Sequence, residues 1–501
     1  MPTPQEMSRD ELIALVGVQA LRIASQDAQI ADLMEQNATL AARLAKLEHL
    51  LSRNSQNSSS PPSRDADPGK TPPKGTSHRG GGSGRSRGKQ PGAAGSNLGW
   101  TDDPDEQQDR FPQGSCECGA DLAAAHDLGV VDRYQQHEIP LVAVKVTQYD
   151  QHAVRCGCGK VHTAARPDGA RGGPVGYGPN LQAWAVYLMV VHFLPAHRCV
   201  QLLESMTGVA PSVGFVHGML ARAARLIEEV DKRIRALVTL AYAVCCDETP
   251  LRVGRRKPRP GRKKAEKYLL VACTRLWTHY QLGDRDLATF KAFVLKDLAA
   301  HGAVVVHDRY QNYGSAELGR LVHQLCCAHL QRDLRDAGQV YPDAVWPTQI
   351  SDALGGLIHQ ANLARAAGLS QIDPTVKDKL VYRLRQGVLV GLRDTEHHGQ
   401  RPGERKARLL LECLRDRQDD VLRFAHDLNV PPTSNQAERD LRPAKIQQNI
   451  SGRLTSEHRT KDRYKILGYV SSAAKNGLDK MSVLRDAMLG RPWMPPLPAP
   501  P

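Results

Sequence analysis

Two aspartates, each closing an apolar run, constrain this chain more than any other feature. Asp247 follows Tyr242-Ala243-Val244-Cys245-Cys246, and Asp308 follows Ala303-Val304-Val305-Val306-His307. Short apolar runs of this kind read as buried strands, so both carboxylates stand at strand mouths. A third acid, Glu438, lies in Asn435-Gln436-Ala437-Glu438-Arg439, directly after Pro431-Pro432-Thr433-Ser434, a proline-rich stop followed by a helix N-cap. Two strand-end aspartates and a helix-borne glutamate can hold two divalent ions about 4 Å apart, an arrangement that supports in-line attack on a phosphodiester. A nuclease or a strand transferase is the implied class.

The segments around these acids define a core at residues 240–334. Strand one ends at Asp247, and Glu248-Thr249-Pro250 is expected to break it. A loop from Arg255 to Lys264 follows, with seven cations in ten residues. Tyr268 to Thr274 and Trp277 to Leu282 read as neighbouring strands, and Phe290 to Ala300 as a helix before the strand that ends at Asp308. The order β-β-β-α-β, with acids on the first and fourth strands, is the ribonuclease-H-like plan, a mixed sheet with helices. Glu438 comes late for that plan. Residues 335–430 carry helical leucine spacing (Leu354, Leu357, Leu380, Leu384, Leu410, Leu414) and read as a helical insertion. The core then resumes at 431–490 with the Glu438 helix, before a Pro-rich tail at 491–501.

On that last helix Asn435, Glu438, Arg442 and Lys445 recur at steps of three and four and share one face. An acid flanked by an amide and cations fits metal binding beside phosphate contacts, so Asn435, Arg439, Arg442 and Lys445 join Arg255, Arg256, Lys263 and Lys264 as DNA-contact candidates. A solvated surface face is the alternative. Glu248 and Asp440 are rival ligands, but strand alternation and helical rotation are expected to point each away from the site.

Charge supports a polyanionic partner. The 501 residues hold 67 Lys+Arg against 53 Asp+Glu, a net charge of +14. No apolar run reaches the roughly 18 residues of a membrane span, and Met1 to Arg9 lacks a signal-peptide pattern. The 11 cysteines, an odd number scattered among apolar neighbours, argue against a disulfide framework and fit a reducing cytoplasm. With DNA as partner, nucleoid association is expected.

Four further segments precede the core. Residues 9–51 repeat with period seven, Val16, Ile23, Ile30, Asn37, Leu44 and Leu51 in one register and Leu12, Leu33, Leu40 and Leu47 in the other. This is a coiled-coil seam with one register-fixing Asn, and it implies a homo-oligomer; a single helix docked on its own protein is the alternative, which Gln19 and Gln26 in the second register favour. Residues 52–98, rich in Ser, Pro, Gly and Arg, form a basic linker expected to be disordered. In residues 100–170, Cys116 and Cys118 in Cys-Glu-Cys-Gly, with Cys156 and Cys158 in Cys-Gly-Cys-Gly, flank the alternating run Leu141 to Val146. Four thiolates from two such knuckles can close a structural Zn²⁺ site on a small β domain, although each pair has one intervening residue where zinc knuckles usually have two. Otherwise the thiols stay free. Residues 177–235 read as helical, with a helix-turn-helix cadence from Cys199 to Ala223 around Gly208 and Pro211-Ser212. Ser212, His217 and Arg222 are its only polar candidates for reading DNA, so plain helical packing is an equal alternative.

Taken in order, Asp247-Glu248-Thr249-Pro250, Asp308-Arg309-Tyr310, Cys327-Ala328-His329-Leu330 and Asn435-Gln436-Ala437-Glu438-Arg439, followed by Leu441-Arg442-Pro443, resemble the DDE transposases of the insertion-sequence 66 family. The resemblance implies that Asp247, Asp308 and Glu438 form a catalytic triad. It implies two Mg²⁺ or Mn²⁺ ions per active site, with Asp247 bridging both, and DNA substrates comprising element terminal repeats and target DNA. It also marks Cys327 and His329 as signature positions, for which a buried pair on an apolar helix is the expected role. A junction or repair nuclease of the same fold, or a non-catalytic DNA-binding regulator, are the competing readings. A coiled coil and extra DNA-binding segments favour the transposase, because transposition must pair two ends.

Overall fold

The computed structural model describes residues 99–139, 142–170, 172–254, 267–397 and 401–497, together with residues 8–10 and scattered positions between 17 and 36. The described heptad positions Gln19, Ile23, Gln26, Ile30 and Leu33 are helical and exposed. The rest of the seam, the linker at 52–98 and the cationic loop with Arg255, Arg256, Lys263 and Lys264 lie outside the described residues.

The chain divides into two compact units, residues 73–145 and the remainder. In the smaller unit the described residues are mostly irregular. The alternation at Leu141 to Val146 does not make a strand over its described residues. Val142, Val144 and Val146 are 52%, 41% and 90% exposed, so period-two spacing found no apolar layer to face. Just inside the larger unit, β1 (Ala153–Arg155) and β2 (Val161–Thr163) form an exposed antiparallel hairpin.

Four helices follow: α1 (Pro179–Val190), α2 (Ala196–Thr207), α3 (Val213–Leu226) and α4 (Glu228–Thr239). Gly208, at φ 71°, ends α2 in the left-handed conformation that a glycine adopts without strain, and Ser212 caps α3 by accepting from Phe215 N at 3.0 Å. Two helices therefore flank the Gly208 turn. The polar candidates are partly consumed, however: the Ser212 hydroxyl serves the cap, and Arg222 donates to the Gly169 carbonyl at 3.4 Å. His217 stays exposed.

The core is a five-stranded mixed sheet ordered β5-β4-β3-β6-β7, built from β3 (Ala243–Leu251), β4 (Lys267–Cys273), β5 (Thr278–Gly283), β6 (Val304–His307) and β7 (Val322–Leu325). β3, β4 and β5 form an antiparallel meander; β6 runs parallel to β3, and β7 parallel to β6. The expected β-β-β-α-β order is therefore present, with α5 starting at Leu287–Phe290, passing through a π-helical segment at Lys291–Leu295 and ending at Lys296–His301. One expectation is corrected. β3 does not break after Asp247 but runs on through Glu248, Thr249 and Pro250, paired with β4 as far as Leu251. Pro250 is tolerated because β6 pairs with β3 only up to Cys245, and a proline needs no partner for a missing N–H on an open edge.

Between β7 and the Glu438 segment the chain is helical, as expected: α6 (Cys327–Val340), α7 (Trp346–Ala366), α8 (Pro374–Asp394), α9 (Pro402–Asp416) and α10 (Gln418–His426). Trp346 and Leu411 close on Gly391 of α8, where a Cβ would stand 2.9 and 2.7 Å from them. α10 is locked to the sheet by buried Gln324 of β7, which donates to the Val421 carbonyl and accepts from Phe424 N at 3.0 and 2.8 Å. α11 (Asn435–Ile450) and α12 (Glu457–Lys475) then cover the sheet, and α13 (Lys480–Met488) packs on α1. At Gly468 the backbone of α12 comes so near β5 that a Cβ would stand 3.0 Å from the Thr278 carbonyl. Among the described residues no helix is long and apolar enough to cross a membrane.

Candidate active site

Parallel pairing sets Cys245 beside Val306. Two residues further along each strand come Asp247 and Asp308, just past the last paired residues and at the same end of the two neighbouring strands, and the charge of Asp308 acts on Asp247. Asp308 is fixed by its own turn, its Oδ1 accepting from Tyr310 N at 2.9 Å. Asp247 is half-buried. Burial first, then the negative charges of Glu248 and Asp308, push its carboxyl up to about 7.

Glu438 arrives from a different direction and is anchored by cysteines. The segment ahead of α11 rests on the sheet end: Cys327 N donates to the Pro432 carbonyl at 3.0 Å, Ser434 N to Cys326 Sγ at 3.2 Å, and Cys245 Sγ lies 3.8 Å from the Thr433 carbonyl. Ser434 is the N-cap residue, but its hydroxyl makes no cap bond; its backbone N–H goes to the thiol instead. One turn later Glu438 Oε1 accepts from Arg332 of α6 at 2.7 Å and lies 3.7 Å from His329 Nε2. Among the described residues no three His, Cys, Asp or Glu side chains are gathered closely enough to hold an ion. Asp308 thus acts electrostatically on Asp247, while the partners of Glu438 are Arg332 and His329, and the three acids are not gathered into a closed cage. By chemistry alone, three hard carboxylate donors suit a divalent cation, and positive charge near Asp247 would relieve the repulsion that Asp308 exerts on it.

The two rival acids separate clearly. Asp440 faces away, bound to Lys475 at 2.7 Å, Thr278 Oγ1 at 3.0 Å and Gln436 at 2.9 Å. Glu248 does not simply point away: its side chain, 2% exposed, is held by Arg285 at 2.6 Å and Tyr313 OH at 3.2 Å. Burial first and then the charge of Asp308 raise its pKa, while Arg285 opposes them. Arg285 in turn stacks over the Tyr310 ring, 3.6 Å from its centroid.

The Cys-Cys-Ala-His run resolves into two roles. Cys327 is buried against Val421 and Leu325, as expected. His329 is not a core residue: its Nε2 lies 3.7 Å from the Glu438 carboxylate, and its charge acts on Cys326 and Asp247. Burial alone would raise the Cys326 thiol, but the bond and charge of His329, with the N–H of Ser434, hold it below its ordinary value. Burial disfavours charge on His329, yet Cys326 and Glu438 together raise its pKa. Cys326 and Arg332 were missed from the sequence. Arg332 was findable, since it sits three residues after His329 on the same helix face.

Of the expected DNA contacts, Asn435, Arg439 and Arg442 on α11 are exposed and Lys445 is half-buried. The cysteine pairs lie in different units and repeat one local geometry. Cys116 N donates to Ala120 O and Gly119 N to Cys116 O, both at 2.8 Å; Cys156 N to Lys160 O and Gly159 N to Cys156 O do the same at 2.8 Å. In each turn the following cysteine's N–H, from Cys118 or Cys158, lowers the pKa of the first thiol. All four thiols are free and exposed.

Among solved structures the chain is similar to a chain of a pre-cleavage Mos1 transpososome at 16% identity, over 30% of this chain and 58% of that one, with a TM-score of 0.12. A Mos1 strand transfer complex matches at 16% identity, over 30% of this chain and 56% of that one, with the same score. The chain thus spans little more than half the length of these structures' chains. No curated protein matches. Residues 2–98 match a family of unknown function (DUF6444). Residues 175–462, more than half of the 501, match the model of the Transposase IS66 family, and the chain belongs to that family.

Proposed function

We propose that this chain binds the ends of an insertion sequence and cuts and transfers DNA strands by phosphoryl transfer, with Asp247, Asp308 and Glu438 as its catalytic carboxylates. The observation that supports this reading is the parallel pairing of Cys245 with Val306, which leaves Asp247 and Asp308 two residues on, at the same end of neighbouring strands, while Glu438 stands in the first turn of α11. The three would hold divalent ions, Mg²⁺ or Mn²⁺. Such ions, when bound, supply Lewis-acid activation of the attacking hydroxyl and charge stabilisation of the leaving oxygen.

The chain's own residues do the remaining work. Cys245, Cys326 and Cys327 fix the start of α11 on the sheet, which sets where Glu438 stands. Asn435, Arg439, Arg442 and Lys445 project from that helix and position phosphates, a role that carries no base information. The cationic loop from Arg255 to Lys264 leaves the strand that bears Asp247 and serves the same end. The N-terminal heptads pair two copies, as the joining of two DNA ends requires.

The test is cleavage of labelled DNA carrying the element's own ends in Mg²⁺. Wild-type protein is expected to nick it, and Asp308→Ala to bind without cutting. Cutting by Asp308→Ala at near the wild-type rate removes the triad assignment. Wild-type binding without any cleavage favours a DNA-binding regulator.

A further inference from the structure

Glu438 is already engaged. Its carboxylate holds Arg332 at 2.7 Å with both side chains 33% exposed, and Arg332 also reaches back through Nε to the Ala328 carbonyl at 3.3 Å. The guanidinium is thereby held flat along α6 with its terminal nitrogen on the acid. The carboxylate has two competing claims on it, the resident guanidinium and any cation held by Asp247 and Asp308. A part-exposed ion pair is weak, and a doubly charged ion that also has Asp247 and Asp308 as ligands attracts the carboxylate more strongly than one guanidinium does. The exchange therefore runs toward the metal. An arginine released at that moment is a planar donor fork beside the metal-held phosphodiester, matched in shape and charge to its non-bridging oxygens.

We propose that Arg332 is a positioning residue for the scissile phosphate, stored on Glu438 in the metal-free protein and handed to the DNA when divalent metal takes that carboxylate. The proposal rests on the assignment of Asp247, Asp308 and Glu438 as metal ligands. It explains why a cation stands against an acid whose proposed task is to bind another cation. Arg332 then contributes twice, by keeping Glu438 ordered before metal arrives and by holding the phosphate afterwards.

Two measurements on the full-length protein test it, neither requiring turnover. Without DNA, Arg332→Gln should bind Mn²⁺ about five-fold more tightly than wild type, because the competing ion pair is gone. Arg335→Gln, which removes the same charge one turn further along α6, should not. With DNA, the dependence of log affinity on log salt should lose about one unit of slope in Arg332→Gln when Ca²⁺ is present, and nothing when EDTA replaces it. Arg332→Lys keeps the charge and should retain the slope while losing the planar fork, which covers the case in which the Gln variant folds poorly. Unchanged Mn²⁺ affinity, or a slope change that is equal in Ca²⁺ and EDTA, overturns the exchange. If Asp247→Asn and Glu438→Gln also leave Mn²⁺ binding intact, the metal-ligand assignment itself fails; if they abolish it and Arg332→Gln does nothing, only the exchange fails.

Discussion

Lys475 Nζ lies 2.7 Å from the Asp440 carboxylate, with the two side chains only 14% and 11% exposed. The same carboxylate accepts from Thr278 Oγ1, and Tyr280 OH donates to the Asp440 carbonyl at 2.5 Å. Asp440 thus stitches α11 to β5 and α12, while Glu438, two residues earlier, faces Arg332 and His329 of α6. The pair of neighbours should separate in experiment. Asp440→Asn should lower stability by about 2–4 kcal/mol, since Lys475 is left buried with a weakened partner, and should leave cleavage by the folded fraction largely intact. Glu438→Gln should change stability by no more than about 1 kcal/mol and abolish cleavage. Chemical denaturation and nicking assays on both variants check this, and loss of cleavage with full stability in Asp440→Asn would make it the ligand instead.

Asp247 gives a pH dependence of known sign. Its folded pKa, pushed up to about 7, lies above the unfolded value near 3.8. The folded state therefore keeps a proton that the unfolded state has lost, and stability falls as pH rises between the two values. The penalty is absent below about pH 4 and complete above about pH 7, on the order of 4 kcal/mol. In EDTA, Asp247→Asn should flatten the stability profile over that window and be the more stable protein at pH 8. Urea denaturation at pH 5 and 8 decides it. An unchanged slope in the variant assigns the pH dependence elsewhere.

The acids were legible because the runs before them are short, apolar and buried on both faces, a pattern that specifies strands without tertiary information. The start of α11 was legible from its prolines. What packs across a strand was not. Alternation put Glu248 opposite Asp247, but only the fold brings Arg285 from beyond β5 and Tyr313 from the turn after Asp308 to hold it. The choice between Cys326 and Cys327 likewise depends on where α6 begins. Cys327, its first residue, turns into the core, and Cys326, at the cap, meets His329.

The matching turns at Cys116 and Cys156 bear on zinc. Each gives a thiol whose pKa is lowered by the next cysteine's N–H, the state in which sulfur binds metal. The proposal that these thiols bind zinc predicts that freshly purified protein contains it and that Cys156→Ser releases it. Elemental analysis without zinc removes the proposal.

Arg255, Arg256, Lys263 and Lys264 carry a prediction from position alone, since their loop leaves the strand of Asp247. Replacing all four with Gln should weaken binding to specific and random DNA alike and flatten the salt dependence by about one unit per lost phosphate contact. An unaltered slope places the loop away from DNA.

Arg309, the residue after Asp308, ties the end of β6 to the helical insertion. It pairs with Asp333 of α6, and Asp333 and Asp336 are both held by Lys406 of α9 at 2.8 and 2.9 Å. Asp333 is the centre of this network, 17% exposed between two cations. Asp333→Ala leaves Arg309 and Lys406 repelling each other beside Asp308, and should cost about 2 kcal/mol. Lys406→Met removes only an outer partner that is 43% exposed, so its loss should stay within about 1 kcal/mol. If the insertion serves to fix Asp308, cleavage should follow the same order at temperatures where both variants are folded: strongly reduced in Asp333→Ala and near wild type in Lys406→Met. Denaturation and nicking assays run side by side check this. Equal cleavage by the two variants would mean that Asp308 is held by its own turn, through the Tyr310 N–H, and that the insertion acts elsewhere.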